Sequence, residues 1–192
     1  MASVFTHVLV GVAQGAAGKS TWKKQRRFWL LAVLCSILPD FDGIGLKLGV
    51  PYGALWGHRG ITHSLLFAAI AGIAAAACFQ LPWGSKDKWK LAFLFFIITA
   101  SHGVLDAMTD GGLGVAFFSP LDTHRYFFSW RPIHVSPMSA PRFFTQRGLR
   151  VMWSELIWVW CPTLTVVALV YCWRVLRRRS QSETTERTHS SE

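Results

Sequence analysis

The sequence predicts an all-α protein, a polytopic membrane helical bundle of about five membrane helices. Three observations carry this. Of the 192 residues, 52% are hydrophobic and only 16% are charged. Four stretches, 28–38, 65–83, 91–108 and 151–173, approach or reach the roughly 20 apolar residues that cross a bilayer. The basic residues cluster in blocks that abut those stretches.

Taken in order, segment 4–17 is a weaker helix candidate, rich in small residues. Stretch 28–38 is short before Pro39, so it either extends backwards through Trp22 or ends partway through the membrane. Stretches 65–83 and 91–108 are continuous apolar runs, and a long loop, about 109–150, separates them from 151–173. Residues 1–175 thus form one membrane-embedded domain. Residues 176–192 read as a cytoplasmic tail, basic and then disordered, because Ser, Thr and Glu dominate from Ser180 onward. No basic region precedes the first apolar segment, which argues against a cleavable signal peptide. Cys35, Cys78, Cys161 and Cys172 lie in apolar segments without CxxC spacing, and read as packing residues.

A net charge of +10 suggests nucleic acid until its distribution is examined. Lys19, Lys23, Lys24, Arg26 and Arg27 form one block; Lys86, Lys88 and Lys90 a second; Arg174, Arg177, Arg178, Arg179 and Arg187 a third. Juxtamembrane Lys and Arg stay cytoplasmic. Placing all three blocks inside lets five spans alternate, with the N-terminus outside and the C-terminus cytoplasmic. The partner is then the lipid bilayer, and no nucleic acid is expected.

Polar signatures interrupt this apolar pattern: His7, Leu38-Pro39-Asp40-Phe41-Asp42, His58-Arg59-Gly60-Ile61-Thr62-His63-Ser64, His102-Gly103-Val104-Leu105-Asp106, and Glu155. Histidine and carboxylate are costly in hydrocarbon unless paired, metal-bound or facing a wet cavity. In the five-span topology all of them fall on the outer side. At 1.5 Å per residue, His7, Asp40 and His102 lie about 18–20 Å from the basic ends of their helices. That common depth points to one recessed site.

His102 and Asp106, four apart, project from one helix face, as a ligand pair or as a ligand with its orienting carboxylate. Asp40 and Asp42 can bridge metals, or one can bind while the other orients a ligand. Thr62 is placed to cap the next helix, His63 to enter the site from its first turn, and His58 to reach it from the loop. Arg59 offers a planar fork suited to phosphate oxygens, or compensates Asp40 or Asp42. Glu155 is a ligand, a general base or a partner for Arg150. In the outer loop, Arg125 and Arg131 among aromatics suit an anionic headgroup, with His124 and His134 as further candidate ligands.

The ordered set of N-terminal His7, Leu-Pro-Asp-Phe-Asp, His-Arg-Gly-Ile-Thr-His-Ser and Ser101-His102-Gly103-Val104-Leu105-Asp106 resembles the YdjM family of bacterial inner-membrane, predicted metal-dependent hydrolases. The loop Tyr126-Phe127-Phe128-Ser129-Trp130-Arg131-Pro132-Ile133 is also similar to that family's. The family is distantly similar to the zinc-dependent phospholipase C and single-strand nuclease superfamily. By that similarity His7, Asp40, His63, His102 and Asp106 are the expected metal ligands, with His58 close behind; Asp42 joins them as a candidate ligand from its pairing with Asp40.

The expectation is therefore a hydrolase of the bacterial inner membrane. It holds one to three divalent ions, zinc favoured, in a site facing the periplasm. Its substrate is a phosphoester of a lipid or lipid-linked molecule, attacked by a metal-activated water. Asp42 or Glu155 accepts a proton and Arg59 stabilises charge on the transferring group. Two other readings use the same residues: a non-catalytic scaffold or regulator folded around the metal, and a metal or proton transporter. The apolar composition of 68–78 and 91–98 disfavours the transporter's through-pathway.

Overall fold

A computed structural model describes residues 1–79, 86–137 and 140–189. Its helices are α1 (Val4–Gly15), α2 (Ser20–Lys23), α3 (Arg26–Ile37), α4 (Gly43–Lys47), α5 (Leu65–Cys78), α6 (Lys86–Ala107), α7 (Ala140–Phe143), α8 (Gln146–Glu155) and α9 (Cys161–His189). No strand forms among the described residues; extended pairing there is limited to isolated bridges, Thr109 with Ile133 and Val115 with Tyr126. The protein is an all-helical membrane bundle.

Among the described residues, three helical segments are long and apolar enough to cross a bilayer: Arg26–Lys47, Lys86–Ala107 and Gln146–Arg177. The other two apolar helices, α1 and α5, have 12 and 14 residues. At 1.5 Å per residue they reach about 18 and 21 Å, short of a ~30 Å hydrocarbon core. Among the described residues there are thus five apolar helices, two of them short. Residues 80–83 of the expected stretch 65–83 lie outside the described residues.

The second span differs from expectation in direction. It does not run back through Trp22; it begins at Arg26 and continues forward past Pro39. Leu38–Asp42 form a 3₁₀ turn with Pro39 in its first turn, where a missing N–H costs little, and α4 follows directly. At the other end of the chain, α9 continues to His189, beyond the start of the tail read as disordered. Extending an existing helix adds a hydrogen bond per residue without a new nucleus.

Helix α5 packs along α6, and α1 lies against both α3 and α6. Gly72 makes the α5–α6 approach close: a Cβ there would sit 2.6 Å from the Ala92 carbonyl oxygen and 2.7 Å from the Phe96 nitrogen. In lipid, small residues of this kind let helices gain dispersion contacts that no escape from water supplies. Ser64 starts α5, its Oγ accepting from the Phe67 N–H at 3.1 Å. The cap expected at Thr62 therefore falls two residues later. Phe28, Leu91, Phe95 and Ile98, all fully buried, close the bundle between α3, α5 and α6. The last span stands at the margin, only 6% of its apolar window buried, touching α1 near a π-helical turn at Leu156–Trp160.

Candidate metal centre

Four elements bring the signatures together. Helix α1 supplies His7, the 3₁₀ turn after α3 supplies Asp40 and Asp42, the turn Ile61–His63 supplies His63, and the end of α6 supplies His102 and Asp106. Ligand atoms of Asp40, His63, His102 and Asp106 all lie within 4.8 Å of one another. Asp40 Oδ1 is 3.3 Å from His102 Nε2 and 3.9 Å from His63 Nε2. Asp106 Oδ2 is 3.6 Å from His63 Nε2, and its Oδ1 is 3.5 Å from His7 Nε2. The His7 ring stacks on His102 with centroids 3.6 Å apart.

The orientation of each ring follows from its other nitrogen. His102 Nδ1 lies 2.8 Å from the Ser36 carbonyl oxygen, which can only accept, so Nδ1 carries the proton and Nε2 turns inward. His63 Nδ1 lies 3.1 Å from Asp42 Oδ2, which leaves Nε2 toward Asp40 and Asp106. Burial lowers the affinity of the His63 ring for a proton. The Asp106 and Asp42 carboxylates more than offset this and raise its pKa to about 9.

Whether the residues fit a metal is decided by what they leave unsatisfied. His7 Nδ1 and Nε2, both Asp40 oxygens, His63 Nε2 and His102 Nε2 are buried without a hydrogen-bond partner. Such orphaned groups cost about 1–3 kcal/mol apiece, so six in one place are not a stable resting arrangement of protein alone. Imidazole and carboxylate are the donor set of zinc and similar divalent ions. The fit is good.

Around this core several expected participants take other positions. Asp42 faces His58 Nδ1 across 2.6 Å, accepts from Arg59 N at 3.1 Å and Thr62 Oγ1 at 2.6 Å, and contacts His63 Nδ1. Oδ1 faces His58 and Oδ2 faces Arg59, Thr62 and His63, so Asp42 is placed to orient ligands and lies outside the first group. It does sit with His58 and His63 in a second His/Asp group close enough for an ion. Arg59 is fully buried. It donates to Asp106 Oδ2 at 3.0 Å, to the Gly111 carbonyl at 2.8 Å and to Thr109 Oγ1 at 2.9 Å. Its partner is thus Asp106, not Asp40 or Asp42, and its fork is occupied by protein. The residue adopts φ 63°, which non-glycine residues rarely accept. Gly112 gives it room, since a Cβ there would lie 2.7 Å from Arg59 Nη1.

Glu155 is also fully buried, but it lies at the N-terminus of α1. Its carboxylate accepts from Ser3 N, Ser3 Oγ and Thr6 Oγ1. This caps the positive end of the helix that carries His7. Neither a ligand nor a base position is occupied by Glu155, and Arg150 is not its partner. In the outer loop, Arg125 turns inward to the carbonyls of His58, Tyr52 and Ala54. His124 is exposed beside Tyr126, and His134 pairs with Asp110 at 2.7 Å. Sequence reasoning missed Ala2, whose N–H donates to Asp106 Oδ1 at 2.8 Å, and Thr109. Thr109 lies three residues beyond Asp106 and was legible as a neighbour; the backbone contact of Ala2 left no signal.

Asp40 also borders an open cavity of about 600 Å³ lined by Val4, Ile37, Phe41, Ile44 and Leu46, with Lys47 at its edge. On the opposite side of the centre, the Phe28–Phe95–Ile98 cluster fills the bundle.

Comparison with known proteins places this architecture. The chain is 33% identical over 174 residues to the Escherichia coli (strain K12) inner membrane protein YbcI, covering 91% of this chain and 99% of that protein. No solved structure is significantly similar to it. The family described as YdjM inner membrane protein matches residues 1–180, and the chain belongs to that family.

Proposed function

We propose that the protein is a membrane-bound metal-dependent hydrolase acting on a phosphoester of a lipid or lipid-linked substrate. The observation that carries this reading is the convergence of six orphaned His and Asp atoms beside a mostly apolar cavity. Asp40, His63, His102 and Asp106 would hold a divalent ion, zinc favoured, with His7 completing the set. A bound ion would supply Lewis acidity, lowering the pKa of a water and polarising a phosphoryl oxygen.

The protein's own groups do the positioning. Arg59 and the Ala2 N–H fix the Asp106 carboxylate, and Asp42 fixes His58 and His63. Asp40 stands between the centre and the cavity, and its Oδ2 makes no hydrogen bond, so it is the carboxylate suited to take a proton from an entering water. Val4, Ile37, Phe41, Ile44 and Leu46 would receive hydrocarbon and exclude bulk water, with Lys47 near the phosphate. The packed cluster beneath the centre favours a one-sided site over a transport path.

The centre faces the periplasm in this reading. Lys19 pairs with Asp87, so the first two basic blocks meet at one end of the bundle, and the tendency of such blocks to stay inside supports assigning that end to the cytoplasm.

The test is metal analysis of detergent-purified protein beside Asp40→Ala and His102→Ala, with the same samples assayed on phospholipid and generic phosphodiesters. Stoichiometric metal in the wild type, lost from both variants together with hydrolysis, is expected. Full metal retention in both variants would sink the site. A metal-loaded wild type inert on every phosphoester would leave the scaffold reading.

A further inference from the structure

A second groove lies apart from the metal centre, and it shares no lining residue with the Asp40 cavity. Two adjoining cavities of about 400 and 490 Å³ share His134 and Arg150, and so form one trough along α8. One end is basic, with Arg147 and Arg150. The other is apolar, with Leu149, Trp153, Ile157 and Trp158. Neither guanidinium has a hydrogen bond or ion pair among the described residues. The carboxylate at the basic end, Asp110, is held by His134 Nδ1 and the Val135 N–H and forms no ion pair with either arginine among the described residues.

The position of this trough relative to the membrane is set by the last span. Arg150 and Arg174 are 24 residues apart on one helical segment, which at 1.5 Å per residue separates them by about 36 Å. That slightly exceeds a ~30 Å hydrocarbon core. The two arginines therefore stand at headgroup level at the two ends of the span, with Trp153 about 4.5 Å beneath Arg150 in the interfacial zone where indoles concentrate and Trp158 about 12 Å beneath it, at acyl-chain depth. Glu155 ties this end of the span to the start of α1, the helix that carries His7.

We propose that the trough is a binding site for one anionic phospholipid, its phosphate held across Arg147 and Arg150 and an acyl chain laid along Trp153, Ile157 and Trp158. Guanidinium forks suit phosphate oxygens, and an unpaired basic pair above an aromatic slope matches an anionic amphiphile in charge and shape. This site takes over the role that the sequence suggested for Arg125, which is turned inward. It does not depend on the hydrolase reading.

The experiment is native mass spectrometry of detergent-purified full-length protein titrated with phosphatidylglycerol, phosphatidylcholine or inorganic phosphate. The wild type is expected to retain one phosphatidylglycerol. Arg147→Gln/Arg150→Gln should bind it about tenfold or more weakly, from two lost charge-assisted contacts. Both side chains are exposed, so metal content and thermal stability should match the wild type. Trp153→Ser, a second variant, should weaken phosphatidylglycerol several-fold while keeping its preference over phosphatidylcholine. Three results would each overturn the proposal: unchanged phosphatidylglycerol binding by the double variant, equal wild-type binding of phosphatidylcholine, or inorganic phosphate bound as tightly as the lipid.

Discussion

Replacing Glu155 by Gln separates two roles that a buried carboxylate near a metal centre could have. In the structure Oε2 accepts from both Ser3 Oγ and Thr6 Oγ1, while Oε1 accepts from Ser3 N. Glutamine keeps one acceptor oxygen. With that oxygen left on the two hydroxyls, its NH₂ is pushed against the Ser3 N–H, and a buried donor loses its partner at a cost of about 1–3 kcal/mol. Loss of the negative charge at the start of α1 adds roughly 0.3–2 kcal/mol. The sum, about 1.3–5 kcal/mol, corresponds to a fall in Tm of roughly 3–20 °C for a chain of this size. Because α1 carries His7, metal affinity should weaken in parallel. The assay is thermal unfolding in detergent, with and without metal, beside turnover per bound metal at a temperature where the variant is folded. The anchoring role predicts a lowered Tm and near-normal turnover per metal. An unchanged Tm with turnover reduced a hundredfold would refute it and return Glu155 to the chemistry as a general base.

Asp42→Asn should lower metal affinity about 10–100-fold, as loss of a ligand-orienting group does, while stoichiometry at saturating metal persists; equilibrium dialysis reads both. Asp40→Asn should instead reduce the stoichiometry itself. Because the His63 pKa is raised to about 9, that ring is protonated at neutral pH and must give up its Nε2 proton to a metal. Apparent affinity should therefore climb as pH rises toward about 9, and calorimetry at pH 7 in buffers of different ionisation enthalpy should detect the released proton. With a raised folded-state value, the metal-free fold is most favoured by this group below about pH 6.5 and loses that contribution as pH passes about 9. Gly72→Val should force α5 from α6, since even a Cβ meets the Ala92 carbonyl at 2.6 Å, and should lower both Tm and bound metal.

Much of this was legible in the sequence because hydrocarbon makes polar residues expensive. His7, Asp40, His63, His102 and Asp106 stood out against apolar runs, and helical rise placed three of them at one depth before any fold was seen. The partners of the charged residues were less legible. Nothing in the chain order says that Arg59 reaches Asp106 and not Asp40, because that choice is made by its left-handed backbone and the space over Gly112. Glu155 looked catalytic because it lies in an apolar run, and only the packing of α8 beside α1 reveals it as a helix cap. Pro39 marked a helix end correctly in kind, but the 3₁₀ turn that carries the span onward depends on α4 following it.

The scattering of the centre over the chain constrains how the protein is made. Asp106 is contacted by Ala2, His7, Arg59 and His63, and His7 precedes it by 99 residues. At typical synthesis rates of about 5–20 residues per second, His7 and Asp40 wait some 5–20 s or less in or near the bilayer before α6 is complete. During that interval they are costly polar groups without their partners in the centre. A chain halted before α6 lacks His102 and Asp106 and cannot close its centre.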